Sequence, residues 1–131
     1  MLLRPAFQEY SIRYVTTMAG LPEKFDALPA AIVPDCNRNK PITATLSAFA
    51  ILFQMFRHRP HVVVSTGALP GVIGLAVGKL IGARTVWVDS VANGEEMSMS
   101  GNLARPFAGL WLTQWEAVSE KSGAEFAGRV I

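Results

Sequence analysis

The stretch that decides the fold is His61–Asp89, HVVVSTGALPGVIGLAVGKLIGARTVWVD. Its two ends, His61–Ser65 and Arg84–Asp89, are runs rich in β-branched residues, typical of strands that are covered on both faces. Between them, Thr66–Gly71 contains two glycines and a proline and predicts a turn, and Val72–Ile81 has apolar residues at helical spacing. The stretch therefore predicts a βαβ unit with parallel strands and a right-handed crossover.

The rest of the chain continues the alternation of strands and helices. Further strands are predicted at residues 12–16, 31–33, 108–113 and 129–131. Helices are predicted at residues 41–57, 101–106 and 117–126, and residues 1–9 resemble the end of another. With 131 residues, 50% of them hydrophobic, the chain is long enough for one core and too short for two. We therefore predict a single doubly wound α/β domain over residues 1–131, with a mostly parallel sheet.

Composition excludes several classes of function. The net charge of +2 comes without a stripe of Lys and Arg, so we expect no nucleic-acid partner. Cys36 stands alone, which excludes an internal disulfide, and two histidines without a CxxC motif make a metal site improbable. Nothing implies a cofactor. We recognise neither a signal peptide nor a run of the roughly 18 apolar residues that a membrane-spanning helix needs.

The glycine-rich turn lies at the end of the first strand of the βαβ unit. In open α/β sheets, ligands bind beyond the carboxyl ends of the strands. Gly67, Pro70 and Gly71 would there present backbone N–H groups and a helix N-terminus to a phosphate, or would form only a tight turn. The segment is neither a GxGxxG motif nor a P-loop.

Polar residues follow the second strand of the unit. Asp89 and Ser90 would bind sugar hydroxyls or supply a base, or else cap a helix or turn. Ser98 and Ser100 would bind a ligand or cap the helix predicted at residues 101–106. The sequence thus places a candidate site at two adjacent strand ends.

The helix predicted at residues 41–57 carries apolar side chains around most of its circumference. One face combines five large residues at spacings of three and four: Ile42, Leu46, Phe49, Phe53 and Phe56. The helix is either packed in the core against a sheet or partly placed in a lipid interface. In the second interpretation, the membrane-contact residues are Leu52 and Phe56 in the apolar boundary and Arg57 and Arg59 among the headgroups.

Four segments together, STGALPG, VDSVAN, SMSG and LTQW, resemble a family of glycosyltransferase subunits. That family includes the small membrane-anchored subunit of the eukaryotic UDP-GlcNAc transferase that makes lipid-linked N-glycan precursors, and bacterial capsule and exopolysaccharide counterparts. The resemblance implies the Rossmann-like N-terminal half of a GT-B glycosyltransferase, split from its other half. It also implies a place on the cytoplasmic face of the cell membrane and a catalytic partner subunit that binds the nucleotide-sugar.

The resemblance further implies transfer of a sugar to a polyprenyl-diphosphate-linked saccharide, with Asp89 orienting or deprotonating the acceptor hydroxyl. Acceptor and phosphate binding then falls to the matching positions Gly67, Pro70, Gly71, Ser90, Ser98 and Ser100. Members of the family usually begin with a strand and a glycine-rich loop containing a histidine, and this sequence lacks both, which predicts an open sheet edge. The alternatives are a non-catalytic membrane scaffold for the partner, an inactive fragment, and a soluble nucleotide-binding domain, which the lack of a GxGxxG motif disfavours.

Overall fold

Parallel strands and helices alternate along the chain in the computed structural model, which describes residues 3–27, 29–36 and 39–130. The strands are β1 (Tyr14–Thr16), β2 (Ala30–Ile32), β3 (Val62–Ser65), β4 (Arg84–Val88), β5 (Leu110–Thr113) and β6 (Glu125–Phe126). The helices are α1 (Leu21–Lys24), α2 (Pro41–His58), α3 (Ala68–Leu80), α4 (Met99–Ala104) and α5 (Glu116–Ser122), and a 3-10 turn spans Arg4–Phe7.

The strands pair in parallel throughout, as predicted, but they form two sheets. One sheet has four strands in the order β3-β4-β5-β6, and the other pairs β1 with β2. In the larger sheet Ser65 is in register with Trp87, and Trp87 with Trp111. The βαβ unit predicted from His61–Asp89 is thus present as β3-α3-β4.

The hydrophobic core lies between the four-stranded sheet and helices α3, α4 and α5. Leu75, Trp87 and Val118 are fully buried at its centre. Helix α3 approaches the sheet closely because it has glycines on the facing side. A Cβ atom at Gly78 would stand 2.9 Å from Val63 Cγ2 and 3.3 Å from Thr85 Cγ2. Close packing of α3 on β3 and β4 therefore depends on small residues in the helix.

Helix α2 packs against α3 and exposes its most apolar face. Ser47 and Ile51 are buried, whereas all five residues of the face predicted from their spacing are exposed, by 53% to 79%. The prediction of one apolar face is confirmed, but this face does not contact the sheet. Leu52 is half-buried at the flank of the exposed face, and Phe56, Arg57 and Arg59 are exposed. Within the described residues, no helix is long and apolar enough to cross a bilayer.

Several predicted boundaries are wrong, each for a local reason. Helix α3 begins at Ala68 and not at Val72, because Pro70 is tolerated in a first turn, where no intrahelical N–H bond is needed. Helix α5 ends at Ser122, because the next residue, Gly123, adopts the left-handed conformation and caps it; Phe126 therefore lies in strand β6 and not in a helix. Residues 129–130 do not form the predicted strand, and Met1, Leu2 and Ile131 lie outside the described residues.

We predict that replacing Gly78 by alanine destabilises the domain by about 1–3 kcal/mol, because the new methyl group collides with the stiff, branched side chain of Val63. Gly74→Ala on the same helix is the matched control. Its Cβ would meet only Met55 Cε at 3.7 Å, so the gain in helix propensity of about 1 kcal/mol should be retained. Urea denaturation measures both, and equal effects of the two variants would contradict close packing at Gly78.

Candidate functional site

The candidate site lies where β3, β4 and β5 end at the same edge of the sheet. Strand β3 ends at Ser65 and leads into the start of α3, β4 leads into Asp89, and β5 leads into Gln114. Neighbouring parallel strands lie about 4.8 Å apart, so the loops after them share one surface. The structure therefore places the two polar segments predicted from the sequence side by side.

The carboxylate of Asp89 is buried and fully engaged by the chain itself. Asp89 is 1% exposed. Its Oδ1 accepts bonds from the Ser98 hydroxyl at 2.5 Å and from Trp87 Nε1 at 3.3 Å. Its Oδ2 accepts bonds from the Ser98 backbone N–H at 2.9 Å and from Asn93 Nδ2 at 3.2 Å. Four donors satisfy the buried charge, and they tie the end of β4 to the loop that follows it.

Ser98 connects this network to the next helix. Its side chain is the N-cap of α4 and accepts a bond from the Gly101 N–H at 2.9 Å while it donates to Asp89. A Cβ atom at Gly101 would stand 2.6 Å from Met97 Sδ and 2.9 Å from Ser98 Oγ, so the tight turn requires glycine there. The SMSG segment, singled out in the sequence, is thus a cap built around Asp89.

The end of β5 supplies groups whose role the sequence did not indicate. Gln114 is buried. Its Nε2 donates to the Asp89 carbonyl at 2.8 Å, and its Oε1 accepts from the Val130 N–H at 2.8 Å. Trp115 Nε1 donates to the Val91 carbonyl at 2.8 Å, and the Arg129 guanidinium lies 4.0 Å from the centre of the Trp115 ring. The LTQW segment includes both residues, but only the fold shows that they bond the backbone of Asp89 and of the loop after it.

The start of α3 has an unusual backbone. Gly67, its N-cap, has φ of 152°, which favours glycine, and Ala68 has φ of 61°, which costs a non-glycine residue energy. Thr66 and Ala68 are exposed, and the first N–H groups of a helix have no partner within it, so this helix start is a candidate anion site. Gly71 instead serves packing, since a Cβ atom there would stand 2.0 Å from Ser65 Oγ. Pro70 is buried and has no N–H to offer.

The predicted site residues therefore fall into three groups. Asp89 and Ser98 are joined in one buried network, and Gly71 and Pro70 are packed in the first turn of α3. Gly67, Ser90 and Ser100 lie where a ligand could reach them: Ser90 is exposed and accepts a bond from the Ala92 N–H at 3.2 Å, and Ser100 is half-buried. The membrane-contact residues predicted on α2 form a separate surface.

The arrangement suits the binding of an anion with attached hydroxyl groups. The exposed start of the 13-residue helix α3 carries the positive end of the helix dipole. Serine hydroxyls on the neighbouring loop can bond sugar or phosphate oxygens. The described ranges contain no cluster of three histidine, cysteine or acidic side chains that would hold a metal ion.

Comparison with known proteins places these segments in a family. The model of the family described as "Oligosaccharide biosynthesis protein Alg14 like" matches residues 30–130. The chain is 31% identical over 97 residues to the UDP-N-acetylglucosamine transferase subunit ALG14 of Yarrowia lipolytica, covering 69% of this chain and 45% of the relative. It is 26% identical over 121 residues to the ALG14 subunit of Candida albicans, covering 86% of this chain and 55% of the relative. The chain spans about half the length of these relatives.

A solved structure confirms the fold class. The crystal structure of Acinetobacter baumannii MurG superposes with a TM-score of 0.71 at 12% identity, over 88% of this chain and 36% of MurG. At this identity the likeness concerns the fold alone. It agrees with the predicted doubly wound α/β architecture of a GT-B glycosyltransferase.

We predict that Ser98→Ala destabilises the protein by about 2 kcal/mol, because it removes both a helix N-cap and a donor to a buried carboxylate. Ser100→Ala, two residues further along α4, should change the free energy of unfolding by less than about 0.5 kcal/mol. Thermal or urea denaturation of the two variants provides the measurement. A Ser98→Ala variant as stable as the parent would show that the network does not hold the loop.

Proposed function

The chain belongs to the Alg14-like family of oligosaccharide biosynthesis proteins, and from this premise we propose that it is the acceptor-side subunit of a split glycosyltransferase. In this proposal a partner subunit binds a nucleotide-sugar, and this chain holds a polyprenyl-diphosphate-linked saccharide at the cytoplasmic face of the membrane. The similar proteins of Y. lipolytica and C. albicans are named as subunits of a UDP-N-acetylglucosamine transferase, which supports both the reaction and the need for a partner.

The observation that carries the proposal is the open start of α3 beside the Ser90 loop. A diphosphate is doubly charged, and a helix N-terminus with free N–H groups is a natural site for it. Ser90 and Ser100 lie after the adjacent strand and would bond the sugar or phosphate oxygens next to it. The acceptor would then lie across the carboxyl ends of β3 and β4, facing the partner subunit.

We propose that Asp89 is a positioning residue for this site. A general base must reach the hydroxyl proton, but the Asp89 oxygens are buried and already accept four bonds from the chain. Its hydrogen bonds fix the loop that carries Ser90 and Ser98. The catalytic role predicted for Asp89 remains the competing hypothesis.

Because the Asp89 carboxylate is fully bonded within the chain, a second candidate function is also favoured. If no group of this chain reacts, the subunit is a non-catalytic scaffold that recruits its partner to the membrane. The two functions differ in how the rate of the assembled enzyme responds to changes at Asp89 and Ser98.

We predict that Asp89→Asn and Ser98→Ala lower kcat of the reconstituted pair by similar factors of about tenfold, because both release the same loop. The assay uses UDP-N-acetylglucosamine and a polyprenyl-diphosphate-linked acceptor. Its control is Asp35→Asn, the same change at an exposed aspartate outside the site, and the folded fraction of each variant is measured first. A loss of about 10² or more for Asp89→Asn alone would identify Asp89 as the base. Unchanged rates in both variants would indicate the scaffold.

We further propose that the exposed face of α2 contacts the membrane surface. Its large apolar residues Ile42, Leu46, Phe49, Phe53 and Phe56 form a continuous stripe over four turns. The opposite face is held by α3, so the stripe is presented outward. Leu52, predicted as a contact, lies at the flank of the stripe and is half-buried, whereas Phe56 lies within it.

Basic residues surround the C-terminal end of this stripe. Arg57 and Arg59 are exposed, and a cleft of about 830 Å³ beside Phe56 is lined by Arg59, His61 and Arg84. Although His58 is exposed, its pKa is lowered below its usual value, first by desolvation of the imidazole and then by the charges of Arg13 and Arg57. The sequence between Asp35 and Asp89 contains no acidic residue. This end of the domain thus favours anionic headgroups.

We predict that the double variant Phe53→Asp with Phe56→Asp weakens binding to anionic phospholipid vesicles at least tenfold, because two exposed rings lose their apolar contacts. Phe126→Asp makes the same change at the opposite edge of the sheet and should leave vesicle binding intact. Vesicle co-sedimentation measures binding, and melting curves verify folding. Equal binding by the double variant and the parent would rule out this surface.

A further inference from the structure

A cleft lies at the edge of the sheet opposite to the candidate site. It has a volume of about 830 Å³ and lies where the chain leaves helices α2 and α3 and enters strands β3 and β4. Residues 59–61 lead into β3, and residues 81–83 lead into β4. Both sides of the cleft are thus formed by turns from a helix to a parallel strand. The length of the strands separates the cleft from the Asp89 network.

The ionisable side chains that line the cleft are all basic. They belong to Arg59, His61 and Arg84, and none of the lining residues is acidic. The Arg84 N–H donates to the His61 carbonyl at 2.9 Å, which holds these two residues side by side. In the part of the chain that the structure describes, neither arginine forms an ion pair with a carboxylate. Two exposed guanidinium groups that share a cleft and lack a counter-ion are suited to an anion.

The backbone of Arg59 gives an independent indication. Arg59 is the C-cap of α2, its N–H donates to the Met55 carbonyl at 2.8 Å, and its φ of 42° lies in the left-handed region. Glycine is the usual residue in that conformation, because a side chain comes too close to the following carbonyl oxygen. Strained residues of this kind cluster at ligand-binding sites. An arginine at a position that favours glycine therefore points to a role for its guanidinium in the cleft.

The cleft also has an apolar wall beside its cations. Phe56 at the end of α2 is 60% exposed, and Leu80 at the end of α3 is 85% exposed. Ligand pockets typically combine apolar walls with a few polar groups that fix the orientation of the ligand. The lining therefore matches a ligand that carries an anionic group at one end and an apolar group at the other.

We propose that this cleft is a phosphate-binding site, separate from the candidate site at the carboxyl ends of the strands. Arg59 and Arg84 donate to the phosphate oxygens, since the planar guanidinium fork matches phosphate geometry, and His61 donates a further bond. The apolar part of the ligand lies against Phe56 and Leu80. A phospholipid headgroup and a soluble organic phosphate share this chemistry. The inference does not rest on the proposed function, because it requires neither a partner subunit nor sugar transfer.

Titration of the full chain with hexyl phosphate, followed by NMR, tests the proposal. The amide signals of His61, Gly82 and Arg84 should shift, and Arg59→Gln and Arg84→Gln should each raise Kd about tenfold, because each removes a charged donor. Arg57→Gln is the matched control. Arg57 is exposed in the last turn of α2 but does not line the cleft, so its loss should change Kd by less than about twofold. An equal loss in all three variants would overturn the proposal, because it would indicate attraction by net charge alone.

The same variants distinguish a lipid headgroup from a soluble phosphate. On vesicles of equal parts phosphatidylcholine and phosphatidylglycerol, a lipid ligand predicts the same selective loss for Arg59→Gln and Arg84→Gln. Vesicle binding that is equal in all variants, together with selective loss of hexyl phosphate, would identify a soluble ligand. If neither probe depends on Arg59 and Arg84, the cleft is not a phosphate site.

A glycine variant separates binding from stability. Arg59→Gly relieves the left-handed backbone, so it should melt no lower than the parent while its Kd for hexyl phosphate rises about tenfold. Asp26→Gly makes the same backbone change at another residue with positive φ, outside the cleft, and should leave Kd unchanged. A stable Arg59→Gly variant that binds hexyl phosphate as tightly as the parent would overturn the proposal.

Discussion

The buried carboxylate of Asp89 is the interaction on which the functional edge of this domain depends. A charge that is 1% exposed is costly unless it is fully bonded, and here the donors come from β4, the loop after it and the start of α4. Gln114 ties the Asp89 backbone to the residues after β6. The donating residues bond the carboxylate from different parts of the chain, so the network holds these segments together. A surface loop rich in small residues is thereby fixed in one conformation beside the start of α3.

Close approach of α3 to the sheet is the second constraint. Gly71 stands over Ser65 and Gly78 over Val63, where no larger side chain fits without movement. The same approach brings the exposed start of α3 to the level of the Asp89 loop. The two glycines of the turn therefore have different roles. Gly67 allows the unusual backbone conformation at the start of α3, and Gly71 allows α3 to pack closely on the sheet. The proposed phosphate binding and the observed packing therefore do not compete for the same glycine.

Helix α2 combines a face packed in the domain with an apolar face on the surface. Helix α2 is held by α3 on one side and presents five large apolar residues on the other. Exposed apolar stripes on folded domains often mark contact surfaces, and in the proposed membrane contact the basic end of this one would lie among anionic headgroups. Among the described strands, β1 and β3 each pair on one side only.

Much of the fold could be read from local sequence, because βαβ units are encoded by short periodic patterns. The β-branched runs 61–65 and 84–89 determined two parallel strands, and the spacing from Ile42 to Phe56 determined an amphipathic helix. The polar residues at both strand ends predicted a candidate site. Only the tertiary structure decided which face of α2 is buried, since periodicity gives a face but not its neighbour. It alone showed that Ser98, Asn93 and Trp87 donate hydrogen bonds to the Asp89 carboxylate, because the turn after β4 brings these residues together. It also decided that the sheet is divided, since strand pairing joins residues that are distant in the chain and leaves no local trace in the sequence.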